Sequence, residues 1–335
     1  MKPVTRSKRA SAPAAPARGT MWAAQIQGPR SASVLRVDRP EPGPGEVLVR
    51  LEGSGVCGSH GALWEGRAWF QYPCEPGAPG HEGWGRIEAL GEDVEELEVG
   101  ARVTLLSYRA FAEYDVAKAP SVVPLPPELD DDPLPGEALG CAMNVFRRSD
   151  VRPGQDVAVI GVGFLGALLV QLASRTGARV FAVSRRAFAR DIARRCGATE
   201  TIPMDGSAAA SILEATRGRG CDRVLEAVGH QEGLDLATAL TAEGGRLVIA
   251  GYHQDGPRRV DMQTWNWRGI DVINAHERRP EVYIEGMRLG VEAVRSGALD
   301  HRFLVTHRFS LSELGGALDA IHTRPESFLK AVVSA

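Results

Sequence analysis

The sequence predicts an α/β protein in which a mainly β part is followed by a doubly wound sheet of parallel strands. Short strand-like runs, separated by glycine and proline clusters, fill residues 21–118. From about residue 140 strand-like and helix-like runs alternate, and one glycine-rich turn joins a strand directly to a helix. Consecutive short strands are typical of small barrels, whereas strands that alternate with helices form parallel sheets. A chain of 335 residues is long enough for two such domains.

The glycine-rich turn defines the second domain. Residues 156–160 read as a buried strand, the next six residues follow the pattern G-x-G-x-x-G, and leucines then recur at helical spacing. In this context the first glycine permits a tight turn, the second lets a pyrophosphate approach the backbone, and the third lets the helix pack on the strand. The turn therefore predicts a Rossmann dinucleotide-binding domain. Its predicted cofactor-binding residues are Gly161, Gly163, Phe164, Leu165 and Gly166.

The end of the second strand of this domain indicates which dinucleotide binds. In an NAD-binding domain, an Asp or Glu at that point accepts hydrogen bonds from the ribose hydroxyls. Here the strand is followed by Ser184, Arg185 and Arg186, with no carboxylate. Two guanidiniums suit a 2′-phosphate, which a carboxylate would repel. We therefore predict that NADP(H) is preferred over NAD(H); the alternative is that the arginines are a solvated helix start and that the protein discriminates weakly.

The first twenty residues differ from the rest of the chain. Residues 1–20 are rich in Ala and Pro and carry only basic charges. They lack the apolar core of a secretory signal, so we expect a disordered basic tail, with an organelle-type presequence as the alternative.

The remaining elements follow in order. Residues 120–136 are rich in Pro and Asp and are expected to connect the two domains. The strands expected before this connector are 46–51, 86–90 and 101–106. The strands expected after the glycine turn are 178–183, 221–228, 245–250 and 269–274, with helices to residue 195 and over about 281–296.

Composition excludes several classes of partner. The net charge of −3 gives no reason to expect nucleic acid or an anionic membrane, and no apolar run is long enough to span a bilayer. Five cysteines are an odd number and lie far apart. This pattern favours a reducing compartment, and we expect a cytoplasmic protein with thiols that are free or bound to metal.

Three segments carry candidate metal ligands. They are Gly55-Val-Cys57-Gly-Ser59-His60, Gly80-His81-Glu82 and Gly140-Cys141. In this order, ahead of a G-x-G-x-x-G unit, they resemble the zinc-dependent medium-chain dehydrogenase/reductase family, whose members are alcohol dehydrogenase-like. The resemblance runs from about Met21 to the C-terminus. It implies a GroES-like catalytic β domain over 21–141, a Rossmann domain over 142–278, and a return to the catalytic domain over 279–335.

The resemblance implies a catalytic zinc ion held by Cys57, His81 and Cys141. Two thiolates and an imidazole suit Zn²⁺, and three protein ligands leave the fourth tetrahedral position to substrate or water. Glu82 matches a supporting residue or alternate fourth ligand, and its other interpretation is a solvated loop acid. The larger relatives carry a second, structural zinc on four cysteines. Residues 83–140 contain no cysteine, so we predict one zinc ion only.

The resemblance also assigns roles around the metal. Ser59 corresponds to the hydroxyl that relays a proton from the substrate, although it is also suited to a turn. His60 follows it, and Ala62 stands where many relatives have the histidine that passes the proton to solvent. His60 is the substitute for that histidine unless it points elsewhere. Gly251 corresponds to the residue behind the nicotinamide.

The implied reaction is hydride transfer between a nicotinamide cofactor and an alcohol or carbonyl compound. Within the same fold the alternative is reduction of an activated C=C bond, in an enone or an enoyl thioester such as enoyl-CoA. A second alternative is a non-catalytic nucleotide-binding member. The substrate is a small molecule, and aromatic residues between the first two ligands line its pocket or pack their own loop: Trp64, Trp69, Phe70 and Tyr72. We expect a homodimer, paired through the strand at 269–274, with a tetramer as the alternative.

Overall fold

The computed structural model describes residues 19–130 and 132–335. The predicted basic tail lies outside the described residues except for its last two, and Thr20 already belongs to the first strand. The chain divides into two compact units. The first comprises the described residues up to 137 with 307–323 and 331–335, and the second comprises 138–306 and 324–330. Among the described residues, no helix is both long and apolar enough to cross a membrane.

In the second unit, strands and helices alternate along the chain as the sequence predicts. The strands are β1 (Thr20–Gly28), β2 (Ser31–Asp38), β3 (Glu46–Val56), β4 (Glu82–Leu90), β5 (Arg102–Leu105), β6 (Tyr114–Lys118), β7 (Val122–Pro124), β8 (Asp156–Ile160), β9 (Arg179–Ser184), β10 (Glu200–Pro203), β11 (Cys221–Glu226), β12 (Thr241–Ile249), β13 (Asp271–Asn274), β14 (Val305–Ser310) and β15 (Lys330–Ser334). The helices are α1 (His60–Trp64), α2 (Gly136–Ser149), α3 (Phe164–Arg175), α4 (Ala187–Arg195), α5 (Ala208–Ala215), α6 (Gln231–Leu240), α7 (Met262–Arg268), α8 (Pro280–Arg295) and α9 (Leu314–Thr323).

The first unit is organised around β3. Strands β1 and β2 form an antiparallel hairpin, and the larger sheet has the order β14-β15-β3-β4-β5-β7, with β6 also paired to β3. Val47, Val49 and Leu51 point from β3 into an apolar core that includes Ile87 and Val103. Antiparallel pairing brings the end of β3 beside the start of β4, with Gly55 opposite Glu82. This register decides where the candidate metal ligands lie.

The second unit is a Rossmann domain. Its six strands lie in the order β10-β9-β8-β11-β12-β13, and all pairs in it are parallel. Numbered within the unit, this is the order 3-2-1-4-5-6 of dinucleotide-binding domains. Strand β8 is fully buried along its length, as expected of a central parallel strand covered on both faces. The predicted α/β fold with a mainly β part and a doubly wound sheet is confirmed.

Several elements were not predicted. The sequence analysis gave no bounds for the hairpin β1–β2, for the short strands β6, β7, β10, β14 and β15, or for the helices α1, α2, α5, α6, α7 and α9. Strand β10 is only four residues long, ends in Pro203 and lies at the edge of the sheet. Proline is tolerated there because an edge strand has one side without a hydrogen-bonded neighbour.

Candidate active site

The register of β3 and β4 brings three candidate metal ligands together. Cys57 follows the last residue of β3, and His81 immediately precedes Glu82, the first residue of β4. One ligand atom from each of Cys57, His81 and Glu82 lies within 4.8 Å of the other two. Thiolate, imidazole and carboxylate are donors that Zn²⁺ accepts. The first unit therefore presents a three-residue set that fits a metal ion.

Glu82 is part of this set because the fold buries it. The residue is only 1% exposed, which excludes a solvated loop acid. Gly55, its partner across the two strands, has no side chain, and a Cβ atom at that position would overlap the Glu82 carboxylate. The glycine therefore gives the carboxylate its place beside Cys57 and His81.

We expect the Gly55→Ala variant to lose zinc affinity by roughly 10- to 100-fold, the range seen when a supporting partner of a metal site is displaced. The added methyl group pushes the Glu82 carboxylate away from the cluster, because the two cannot occupy the same space. Dialysis against graded concentrations of chelator, followed by metal analysis, measures the loss. The matched control is Gly61→Ala, since a Cβ at Gly61 meets nothing within 4 Å. Equal zinc retention in both variants contradicts the role given to Gly55.

The His81 ring is held by its neighbours. Its Nδ1 lies 2.9 Å from the carbonyl oxygen of Pro79, and His60 Nε2 lies 3.2 Å from the same carbonyl. The His60 ring stands edge-on at 4.8 Å from the His81 ring and at 5.4 Å from Phe111. In the tautomer that satisfies Pro79, Nδ1 of His81 carries the proton and Nε2 keeps its lone pair for a metal.

The electrostatics of the cluster favour a cation. Partial burial lowers the pKa of His81, but the hydrogen bond to Cys57 and the negative charges of Cys57, Glu137 and Glu82 outweigh it and raise the pKa to about 10. A site that holds a proton so strongly on an imidazole is one in which anionic groups surround the ring. A zinc ion supplies the same positive charge, so the donor set fits the metal by charge as well as by ligand type.

The other predicted residues of the metal region lie as follows. Ser59 precedes α1 and is half-buried, and its hydroxyl makes no capping bond. His60 is buried, 2% exposed, with its ring directed at His81. Cys141 lies on α2 within the second unit. Cys74, Cys196 and Cys221 belong to no candidate metal group within the part of the chain that the structure describes. Burial raises the pKa of Cys196 to about 11 and that of Cys221 to about 12.

The aromatic residues between the first two ligands divide into two groups. Trp64 is 1% exposed, and its Nε1 donates a hydrogen bond of 2.8 Å to Asp319. The hydroxyl of Tyr72 donates to the carbonyl oxygen of Leu63. Trp64 is thereby bonded to α9 and Tyr72 to its own loop. Trp69 is 57% exposed, and its ring lies 6.0 Å from the half-buried ring of Phe70. Trp69 is thus the exposed one of these four aromatic residues.

The glycine turn of the second unit has the geometry that each position requires. Gly161 has φ of +94°, a conformation that disfavours side chains. A Cβ on Gly166 would overlap the carbonyl oxygen of Gly161, so the third glycine lets α3 begin close against the turn. Gly163 precedes α3 in extended conformation, and a Cβ there would meet nothing within 4 Å. The side of Gly163 thus stays open for a ligand.

The residues predicted to bind the ribose of the dinucleotide cofactor lie at the end of β9. Ser184 is buried, Arg185 is exposed and ion-paired with Glu232, and Arg186 is half-buried immediately before α4. Arg190 on α4 donates to the carbonyl oxygens of Ser184 and Arg185, at 3.0 and 2.9 Å. These bonds fix the backbone from which both predicted arginines project.

Gly251 lies at the end of β12, where the sequence analysis placed it. Its N–H donates to the carbonyl oxygen of Glu226 at 2.7 Å, and a Cβ would come within 2.7 Å of the Glu226 carboxylate. The backbone of the two strand ends is therefore in close contact, which only glycine permits at this position.

Glu226 is a polar residue that sequence reasoning missed. It is completely buried; one carboxylate oxygen accepts the N–H groups of Val228 and Gly229 at 2.7 and 2.8 Å, and the other bonds to His253 Nε2 at 2.9 Å. Arg258 donates to the other nitrogen of His253. The sequence did contain one signal: a single glutamate interrupts the apolar run Val224-Leu-Glu-Ala-Val228. A carboxylate buried in such a strand needs hydrogen-bond partners, so its presence indicates a polar contact nearby.

Comparisons with known proteins agree with this architecture. A family model described as an alcohol dehydrogenase GroES-like domain matches residues 43–127, and one described as a zinc-binding dehydrogenase matches residues 165–292. D-arabinitol dehydrogenase 1 of Uromyces fabae is 29% identical, over 91% of this chain and 95% of its own. L-threonine 3-dehydrogenase of Caldanaerobacter subterraneus is 28% identical, over 84% of this chain and 90% of its own.

The similarity extends to solved structures. A putative zinc-binding dehydrogenase of Sinorhizobium meliloti bound to NADP superposes with a TM-score of 0.80 at 28% identity, and the match covers 95% of this chain and 100% of that one. A probable oxidoreductase of Mycobacterium abscessus matches with a TM-score of 0.80 at 27% identity, over 95% of this chain and 99% of its own.

Fold, glycine turn and comparisons together define a dehydrogenase. The chain belongs to the zinc-type medium-chain dehydrogenase/reductase family and is an oxidoreductase of the alcohol dehydrogenase-like kind. This membership confirms the family resemblance drawn from the sequence. It also supports zinc and a nicotinamide nucleotide as the cofactors.

Proposed function

We propose that this protein transfers a hydride between NADP(H), in preference to NAD(H), and the carbon of a small alcohol or carbonyl compound. The observation that carries the proposal is the group formed by Cys57, His81 and Glu82 at the junction of β3 and β4. The dehydrogenases of arabinitol and threonine among its relatives support an alcohol as the substrate class.

The proposed zinc ligands are Cys57, His81 and Cys141, with Glu82 as the supporting or alternate ligand. Cys57, His81 and Glu82 rest on the geometry of the first unit, and Cys141 rests on the family pattern. When bound, zinc supplies Lewis acidity toward the substrate oxygen. One ion per chain is proposed, because residues 83–140 contain no cysteine for a second site.

The protein's own groups position the reactants and move the proton. In the oxidative direction the Ser59 hydroxyl accepts the proton of the substrate alcohol while giving up its own to solvent, and in the reductive direction both transfers run in reverse. His60 holds the His81 ring through their edge-on contact and the shared carbonyl of Pro79. Gly163 leaves room for the pyrophosphate. Gly251 lies behind the nicotinamide ring and, having no side chain, does not obstruct it.

One assay tests the proposal against its rivals. The zinc-loaded protein is offered NADPH and NADH in parallel with aldehydes, ketones, enones and enoyl thioesters. The proposal requires turnover of carbonyl compounds that depends on zinc and is faster with NADPH. Turnover of enones or enoyl thioesters alone overturns it in favour of C=C reduction, and tight nucleotide binding without turnover on any of these overturns it in favour of a non-catalytic role.

The cofactor preference is tested by the Arg186→Gln variant. We expect its KM for NADPH to rise about tenfold or more, because a charge-assisted hydrogen bond to phosphate contributes about 1.5–3 kcal/mol. Its KM for NADH is expected to stay constant, since NADH has no 2′-phosphate. Steady-state kinetics with both cofactors measures the difference. The control is Arg288→Gln, which removes a charge from an exposed arginine on α8. An equal rise for both cofactors counts against the assignment.

The proposed assembly is a homodimer. Strand β13 is the last strand of its sheet and is exposed or half-buried along its length. An edge strand of this kind has unpaired backbone groups that a second copy satisfies across a two-fold axis. Light scattering coupled to size-exclusion chromatography tests the dimer, and a monomer at micromolar concentration rejects it.

A further inference from the structure

A closed cycle of hydrogen bonds joins the segments that follow β11 and β12 in the second unit. Glu226, the last residue of β11, bonds through one carboxylate oxygen to His253 Nε2 at 2.9 Å. Arg258 donates to Nδ1 of the same imidazole at 2.8 Å, and also to the carbonyl oxygen of Gly229 at 2.8 Å. The N–H of Gly229 donates to the other carboxylate oxygen of Glu226 at 2.8 Å. These four residues therefore hold the two segments together.

The cycle fixes the tautomer of His253. A guanidinium is a donor only, so Nδ1 accepts the hydrogen bond from Arg258 and carries no proton. The proton of the neutral imidazole is then on Nε2, which donates to the Glu226 carboxylate. The side chain of Glu226 is completely buried and that of His253 is 14% exposed, so the carboxylate depends on these donors instead of water. Every donor in the cycle meets an acceptor in this one arrangement.

The cycle encloses a close approach of two backbone segments. The N–H of Gly251 donates to the carbonyl oxygen of Glu226 at 2.7 Å, and a Cβ on Gly251 would overlap the amide nitrogen of Gly229. Gly229 has φ of +80°, and a Cβ there would lie 2.8 Å from the carbonyl oxygen of Tyr252. Doubly wound sheets bind their ligands at the carboxyl ends of the strands. The cycle therefore acts on the backbone at the edge of the sheet where a cofactor binds.

We propose that His253, together with Glu226 and Arg258, is a positioning residue for the nicotinamide end of the cofactor. The cycle holds the backbone of Gly251 in one place, and the nicotinamide lies against that backbone. The inference rests on this placement in the proposed function and extends it to side chains that the mechanism above does not use. A buried charged group contributes little net stability, because its partners mainly offset the cost of removing it from water. We therefore expect the cycle to affect cofactor geometry more than folding.

The His253→Phe variant tests the inference. Phenylalanine keeps an aromatic ring but neither donates to Glu226 nor accepts from Arg258. Calorimetry of the zinc-loaded full chain compares NADPH with 2′-phospho-ADP-ribose, which lacks only the nicotinamide, and NADH with ADP-ribose in parallel. The variant is expected to bind the reduced cofactor about tenfold more weakly, the size of one displaced polar contact, and both fragments unchanged. The emission of bound NADPH, which reports the surroundings of the nicotinamide, is expected to move toward that of the free cofactor.

Two further variants show whether the hydrogen bonds are responsible. His253→Gln is expected to recover part of the loss, because its side-chain amide can donate to the Glu226 carboxylate. The matched control is His322→Phe in the first unit. That histidine lies between the same kinds of partner, with Glu65 at 2.9 Å and Arg30 at 2.8 Å. We expect His322→Phe to bind the cofactors and the fragments as the unaltered chain does.

The outcomes separate this inference from the proposal on which it rests. If NADPH bound to the unaltered chain keeps the emission of the free cofactor, the placement of the nicotinamide beside Gly251 fails, and the role of His253 fails with it. If that emission changes on binding but His253→Phe matches the unaltered chain in emission and in all four affinities, the placement stands and the inference about His253 is rejected. Equal weakening of cofactor and fragment, or a loss no greater than in His322→Phe, also rejects it, because the residue then only supports the fold.

Discussion

The Cys57→Ser variant is expected to lose about a thousandfold or more in kcat/KM and most of its zinc. A serine hydroxyl is a much poorer ligand for zinc than a thiolate. Losing Lewis-acid stabilisation of several kcal/mol corresponds to a rate loss of this size, since each 1.4 kcal/mol is about a factor of ten. Metal analysis and steady-state kinetics with a carbonyl substrate measure the two losses together.

The control for this variant is Cys74→Ser. Cys74 lies in the same unit and is half-buried, and burial raises the pKa of its thiol. It belongs to none of the candidate metal groups among the described residues. We therefore expect Cys74→Ser to keep both zinc and activity. Full activity in Cys57→Ser would remove the metal from the proposed reaction and favour C=C reduction, for which the fold alone is sufficient.

The sequence predicted those parts of the fold that have a local signal. The strand before Gly161 is a continuous apolar run. Between such a strand and a helix, the glycine spacing that follows it indicates a dinucleotide-binding turn. The parallel, doubly wound character of the sheet followed from strand and helix alternation, and helix α4 ends at Arg195 as expected because Cys196-Gly197 terminates it. In these places the sequence pattern and the tertiary environment favour the same conformation.

The features that could not be predicted depend on distant contacts. The role of Gly55 depends on its position opposite Glu82 across two strands, which no spacing along the chain reveals. Glu226 resembles an ordinary strand residue until its partners at 228, 229 and 253 are known.

The Gly163→Ala variant is expected to fold normally and to bind the cofactor at least about tenfold more weakly. Gly163 is extended, with φ of −92° and ψ of −162°, and an added Cβ meets no protein atom within 4 Å. The stability cost of alanine before a helix is about 1 kcal/mol or less relative to glycine. The methyl group instead points into the space that the pyrophosphate requires, so the cost appears only when the dinucleotide binds.

The neighbouring glycine provides the contrast that makes this result interpretable. Gly166→Ala is expected to lower the melting temperature as well as cofactor affinity, because its methyl group overlaps the carbonyl oxygen of Gly161 and forces the turn away from α3. Gly206→Ala is the control, since a Cβ at that exposed position also meets nothing within 4 Å. Thermal unfolding and fluorescence titration with NADPH separate the two effects. A Gly163→Ala variant that binds NADPH as tightly as Gly206→Ala would show that the pyrophosphate does not pass over this turn, and the dinucleotide site would have to lie elsewhere on the sheet.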